Sequence, residues 1–83
     1  MDDWFMKIAI VGAGYVGLSS AILLSQNNEV VILEIDAKKI EKINNKISPI
    51  DDVDFKDFLV NQNLNLRATS IKVDALKDAS TLI

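Results

Sequence analysis

The stretch Gly12-Ala13-Gly14-Tyr15-Val16-Gly17 most constrains what this chain can fold into. It holds all three glycines of the sequence, spaced G-x-G-x-x-G. Before it runs Lys-Ile-Ala-Ile-Val (residues 7–11), a short β-branched apolar run of the kind that forms a buried strand in a parallel sheet. After it, residues 15–26 read as a helix, with Gly17, Ala21 and Leu24 on one stripe and Leu18, Ile22 and Ser25 beside it. Between strand and helix each glycine has its own task. Gly12 permits the tight turn, Gly14 lets backbone approach a pyrophosphate closely, and Gly17 lets the helix press on the strand. The helix N-terminus, with unpaired N–H groups and the positive end of the dipole, attracts the anion.

The next elements supply the rest of a dinucleotide site. Asn27-Asn28 ends the helix, and residues 29–35 (EVVILEI) form a second strand, almost continuously apolar. Glu34 lies near its end, 22 residues after Gly12, at the spacing of a carboxylate that accepts hydrogen bonds from the adenosine ribose. A carboxylate there repels a 2′-phosphate, so NAD is favoured over NADP. Asp36 is the rival for this role, but it is better placed as the N-cap of a second helix. Lys39, in that helix's first turn, reaches the adenosine or a phosphate, or is simply solvated. The expected cofactor-binding set is therefore Gly12, Ala13, Gly14, Tyr15, Val16, Gly17, Glu34 and Lys39. Tyr15 contributes mainly through its backbone. A flavoprotein and a non-catalytic nucleotide-sensing module use similar fingerprints and remain alternatives.

Farther along, Ile40, Ile43 and Ile47 mark the buried face of the second helix, and Ser-Pro-Ile (48–50) breaks it. Asp51-Asp52 starts a third helix with Phe55, Phe58 and Leu59 on its apolar side, ended by Asn-Gln-Asn at 61–63. Residues 64–70 alternate like a strand. Ser70 caps a last short helix, reaching about Asp78, that carries Ala75 and Leu76 inward. Ser-Thr-Leu-Ile (80–83) begins a fourth strand. Alternation of this kind implies parallel strands joined by right-handed crossovers. The fold class expected is α/β: a Rossmann-like three-layer arrangement, a parallel sheet with helices on both faces, truncated near the fourth strand. Residues 1–5 are expected to be an N-terminal extension, and residues 6–83 the N-terminal part of an NAD-binding domain.

Composition removes several alternatives. With no cysteine and no histidine among 83 residues, disulfides, thiolate or imidazole metal sites and the usual serine–histidine and cysteine–histidine devices are excluded. No catalytic residue and no metal ligand is expected. The net charge of −3 argues against nucleic acid, and the local basic face of lysines 38, 39, 42 and 46, broken up by Asp36 and Glu41, reads as a solvated helix face. No apolar run reaches the roughly 20 residues that span a bilayer, and the acidic N-terminus is unlike a secretory signal. A cytoplasmic location is expected.

The run from Met6 to Asp36, MKIAIVGAGYVGLSSAILLSQNNEVVILEID, resembles the N-terminus of the UDP-glucose/GDP-mannose dehydrogenases, most of all their bacterial UDP-glucose-oxidising members. GYVGL at residues 14–18, KINNKISPI at 42–50 and LNLRAT at 64–69 carry the resemblance over nearly all of residues 6–83. Glu34 stands where the family often has aspartate, which implies a ribose contact with a longer reach. Lys46 stands where glycine is common. The resemblance implies oxidation of the C6 alcohol of UDP-glucose to the carboxylate of UDP-glucuronate with two NAD. The family passes through thiohemiacetal and thioester intermediates on a cysteine that this sequence lacks. UDP-N-acetylmannosamine and GDP-mannose are alternative substrates within the family. The nucleotide-sugar would meet only a full-length enzyme, and the 83-residue chain alone is expected to be inactive. It is expected to bind NAD weakly, mostly through ADP-ribose, and to associate with itself through an exposed sheet edge.

Overall fold

The computed structural model describes residues 6–49, 56–57 and 64–83. Four strands, β1 (Lys7–Val11), β2 (Glu29–Leu33), β3 (Leu66–Thr69) and β4 (Thr81–Leu82), form one sheet in the order β3-β2-β1-β4. All three pairings are parallel. The β1–β2 register runs from Lys7↔Glu29 to Val11↔Leu33, so the two strands end level. The connecting helices are α1 (Tyr15–Leu24), α2 (Ala37–Asn44) and α3 (Lys72–Leu76). The predicted Rossmann-like α/β architecture is present.

The apolar runs of β1 and β2 are buried because both faces of the sheet are covered. Ile8, Ile10, Val30 and Ile32 belong to a core cluster with Leu18, Ala21 and Ile22 of α1 and Ile43 of α2. Ala9 and Val31, equally buried, point by strand alternation to the opposite face. There α3 crosses, and its Ala75 is fully buried. Right-handed crossovers require this division. The chain steps β1→β2→β3 in one direction and β3→β4 in the other, which places α1 and α2 on one face and α3 on the other.

Several expectations are corrected. Helix α1 stops at Leu24, not at Gln26. Its C-cap is Ser25, buried, whose hydroxyl donates to Ile22 O and whose carbonyl accepts from Asn65 N at the approach to β3. Of the isoleucine stripe, Ile43 is buried and Ile40 half-buried, but Ile47 is 55% exposed. The cause lies at Lys46, whose φ of 60° is left-handed. Lys46 N donates to Ile43 O and Ile47 N to Lys42 O, the paired bonds of a Schellman ending. That turn swings Ile47 off the helical face. Ser70 is not the cap of α3. Ile71 is, in extended conformation, with its N–H held by Thr69 Oγ1 at 3.2 Å. The helix therefore begins at Lys72, and Leu76 is 41% exposed instead of inward. The predicted helix from Asp51 to Val60, with Phe55, Phe58 and Leu59, lies outside the described residues except at the helical Lys56 and Asp57.

Polar contacts fasten α3 at the amino end of the sheet. Arg67 of β3 holds Asp74 with two bonds of 2.7 and 2.8 Å. Lys7 Nζ donates to the carbonyls of Asp74 and Lys77, placing a cation at the C-terminus of the helix. At the edge of β3 that pairs with no strand among the described residues, the Asn44 side chain accepts from Ala68 N at 2.8 Å and donates to Ala68 O at 3.0 Å. It thereby occupies the edge positions a further strand would use.

Candidate nucleotide site

The strand order changes direction beside β1, which makes the carboxyl end of that strand a topological switch point, where α/β sheets bind ligands. The glycine turn is there. Gly12 N donates to Leu33 O at 2.8 Å, continuing the ladder one step beyond β1. Gly12 then takes φ +90°, open to glycine and costly for other residues, and the chain doubles back into α1. A Cβ on Gly17 would lie 2.5 Å from the Gly12 carbonyl oxygen and 3.6 Å from Ile10 Cγ2. The absent side chain at Gly17 therefore sets how closely helix and turn approach.

Gly14 behaves differently. It is the N-cap of α1 with φ −73° and ψ −176°, an ordinary extended conformation, and a Cβ there would meet no atom of the described residues within 4 Å. Neither packing nor dihedral angle requires glycine at this position. The residue supplies no side-chain cap, and the first turn of α1 holds no acidic residue. Such a tip presents N–H groups and a positive dipole end. Open space at a position needing no glycine for the fold is what close approach of a phosphate calls for. The residues present thus fit a dinucleotide.

Glu34 follows β2 and is 9% exposed. Its carboxylate faces the glycine turn. Oε1 accepts from Ala13 N at 2.8 Å, while Oε2 accepts from Ile35 N and Asp36 N, each at 3.0 Å. Its pKa is held below the usual carboxylate value: the Asp36 amide is the largest cause, burial opposes it as the second, and the Ala13 and Ile35 amides and the charge of Lys39 tip the balance downward. The longer reach anticipated for glutamate is therefore used, at least in part, within the chain. Asp36 is the N-cap of α2, its Oδ1 accepting from Lys38 N at 2.9 Å and Lys39 N at 3.3 Å. The two acids have separate tasks.

The structure brings Gly12, Ala13, Gly14, Tyr15, Val16, Gly17 and Glu34 to one end of the sheet, with half-buried Lys39 in the first turn of α2 near Glu34. Ala13 is buried, whereas Tyr15 and Val16 are 62% and 77% exposed. Two apolar residues at this end were not singled out from the sequence. Ile35 is 91% exposed beside Glu34, and Val11, at the end of β1, is 60% exposed. An apolar residue at the position just after the strand-end acid was the available signal. Among the described residues no group of acids suggests a metal site, and no helix is long and apolar enough to cross a membrane.

Comparison with known proteins identifies the family and the fold. The profile described as "UDP-glucose/GDP-mannose dehydrogenase family, NAD binding domain" matches residues 6–83. UDP-glucose 6-dehydrogenase of Streptococcus pneumoniae is 46% identical over 78 residues, which are 94% of this chain and 20% of that protein. UDP-glucose 6-dehydrogenase of Campylobacter jejuni is 57% identical over 67 residues, 78% of this chain and 17% of that protein. A GDP-mannose dehydrogenase from Pseudomonas aeruginosa, solved as a ternary complex, superposes with a TM-score of 0.80 at 30% identity, covering 93% of this chain and 18% of that one. The chain thus spans about a fifth of the length of the relatives it matches.

Proposed function

The chain belongs to the UDP-glucose/GDP-mannose dehydrogenase family, within its NAD-binding domain, and from this premise we propose how it holds the cofactor. The backbone of residues 12–17 takes the pyrophosphate at the tip of α1, Glu34 takes the adenosine ribose, and Lys39 lies close enough to favour the anionic ligand. Ile35 and Val11 offer apolar surface to the flat parts of the dinucleotide. The observation that carries this reading is Gly14, a glycine that the fold does not require, opening onto the helix tip. When bound, NAD supplies the hydride acceptor. These residues bind and orient it, and none of them reacts.

The substrate is a proposal for the whole protein. The S. pneumoniae and C. jejuni relatives support oxidation of UDP-glucose at C6 to UDP-glucuronate. Residues 1–83 have no cysteine, so they contain no thiol for the covalent steps the family resemblance implies, and they do not turn over UDP-glucose alone. A NAD-dependent enzyme acting on a nucleotide-sugar belongs to the cytoplasm. Self-association, if it uses a sheet edge, uses β4, both of whose residues are exposed, because Asn44 occupies the β3 edge at Ala68. The deciding experiment is a titration of the chain with NAD and with ADP-ribose, followed by calorimetry and by amide chemical shifts. The two ligands should bind with similar affinity and shift the amides of residues 12–17 and 34–36. Absence of binding, or shifts confined to the opposite end of the sheet, would remove the assignment.

A further inference from the structure

The carboxylate of Glu34 is largely engaged before any ligand is present. A carboxylate offers about four acceptor positions over its two oxygens. Three are taken: Ile35 N and Asp36 N on Oε2, and Ala13 N on Oε1. The first two bonds are local and fold the end of β2 around its own side chain. The third crosses 21 residues of sequence to the middle of the G-x-G step. The sheet register makes it possible. Val11 stands opposite Leu33, so the turn leaves β1 where Glu34 leaves β2. The φ of +90° at Gly12 is followed by an Ala13 N–H that finds the carboxylate. Ala13 is itself 1% exposed, so this amide has no ready access to water as a substitute partner.

We infer that Glu34 is the positioning residue of the glycine turn: by holding the Ala13 amide on Oε1 it fixes the turn in advance of the nucleotide, and it leaves one acceptor position for the ribose. The second half rests on the nucleotide reading proposed above; the first does not. A clamp formed in the free chain removes ordering cost from binding, because the turn that receives the pyrophosphate is already set. It also accounts for glutamate here. An aspartate, one methylene shorter, keeps the bonds to its own following amides and gives up the one across to Ala13. A glutamine has a single acceptor oxygen; turned to the two donors Ile35 N and Asp36 N, it leaves its NH2 group facing the Ala13 N–H.

The ligand-free chain tests the clamp by amide hydrogen exchange. The Ala13 amide should be protected in the wild type. In Glu34→Gln and Glu34→Asp its exchange should rise by roughly tenfold or more, the effect of losing a hydrogen bond to a charged group. The sheet amides of Ile10 and Ile32 should keep their protection, which separates a local release from a general loss of stability. An Ala13 amide that exchanges freely in the wild type, or one indifferent to both substitutions, overturns the clamp. The ribose half is read by titration with ADP, 2′-deoxy-ADP and 3′-deoxy-ADP. With one acceptor position left, removal of one hydroxyl should weaken binding about tenfold and removal of the other less than twofold. Equal large losses for both analogues refute the single position. A protected Ala13 amide in a chain that does not bind ADP upholds the clamp and defeats the nucleotide reading.

Discussion

Gly14→Ala separates the demands of the fold from those of the ligand. At φ −73° and ψ −176° an alanine is unstrained, and its Cβ would meet no atom of the described residues within 4 Å. Two small effects on stability oppose each other. Alanine is a poorer N-cap than glycine by about 0.5 kcal/mol or somewhat more, while it narrows the unfolded ensemble by about 0.4–1 kcal/mol. The net change should stay within about 0.5 kcal/mol, or roughly 4 °C in Tm for a domain of this size. Binding should respond far more. A methyl group at the tip of α1 keeps a phosphate from closing on the backbone. Losing one charge-assisted N–H contact costs about 1.5–3 kcal/mol, so the affinity for ADP-ribose should fall at least about tenfold. Thermal unfolding by circular dichroism and an ADP-ribose titration on the same sample give both numbers. Unchanged affinity at unchanged Tm would mean that no phosphate approaches Gly14, and the reasoning from its open space would be refuted.

Gly17→Ala should do the reverse. Its Cβ meets a backbone oxygen at 2.5 Å that cannot rotate aside, so an overpacking cost of about 1–3 kcal/mol or more exceeds the roughly 1 kcal/mol gained in helix propensity, and a Tm equal to wild type would contradict the contact. Lys46→Gly relieves a left-handed backbone. The strain of about 1–2 kcal/mol is partly offset by the entropy of glycine, so the free energy of urea unfolding should rise by about 0.5–1 kcal/mol; a drop would mean the Lys46 side chain contributes more than its backbone costs. Acid should weaken the fold through Glu34 and Asp74, whose pKa values are both lowered in the folded chain, by backbone amides and by Arg67 respectively. Groups depressed on folding stabilise above their unfolded pKa, about 4, and that contribution disappears as pH falls through the folded values. Urea midpoints should therefore be level from pH 7 to 5 and decline below about pH 4.5, and Glu34→Gln should flatten the decline.

Much of this structure was legible in the sequence because the signals were local or repeated. The runs 7–11 and 29–35 are apolar at every central position, which only a strand covered on both faces requires. Asp36 precedes an amphipathic segment and is its cap, as its position implied. The glycine spacing located the turn. What escaped notice depends on register or on a single dihedral angle. Lysine itself gives no signal for a left-handed residue, and only the glycine common at position 46 in the resembling family pointed there, so the residue types alone hid the Schellman turn and the exposure of Ile47. Ser70 is as good a cap residue as Asp36, but Thr69 Oγ1 holds the Ile71 amide and moves the start of α3. The Arg67–Asp74 pair joins a strand to a helix on the far face, and the Glu34–Ala13 bond joins two strand ends. Neither follows a helical or strand period, so each required the strand order and register first.

The two ends of the sheet are treated in opposite ways, and the contrast supports placing the ligand. At the amino end, Lys7 holds the carbonyls of Asp74 and Lys77 and Arg67 holds the Asp74 carboxylate, fastening the crossover. At the carboxyl end the polar effort goes inward, into the Glu34 bonds that set the turn, while Val11, Tyr15, Val16 and Ile35 are left between 60% and 91% exposed. Single exposed apolar residues need no explanation, but these four stand at the same end of the sheet as the N-terminus of α1, whose dipole end is positive. A ligand suited to it has flat apolar ends and a doubly charged middle. A dinucleotide has that construction, and neither a simple phosphate nor an apolar peptide does.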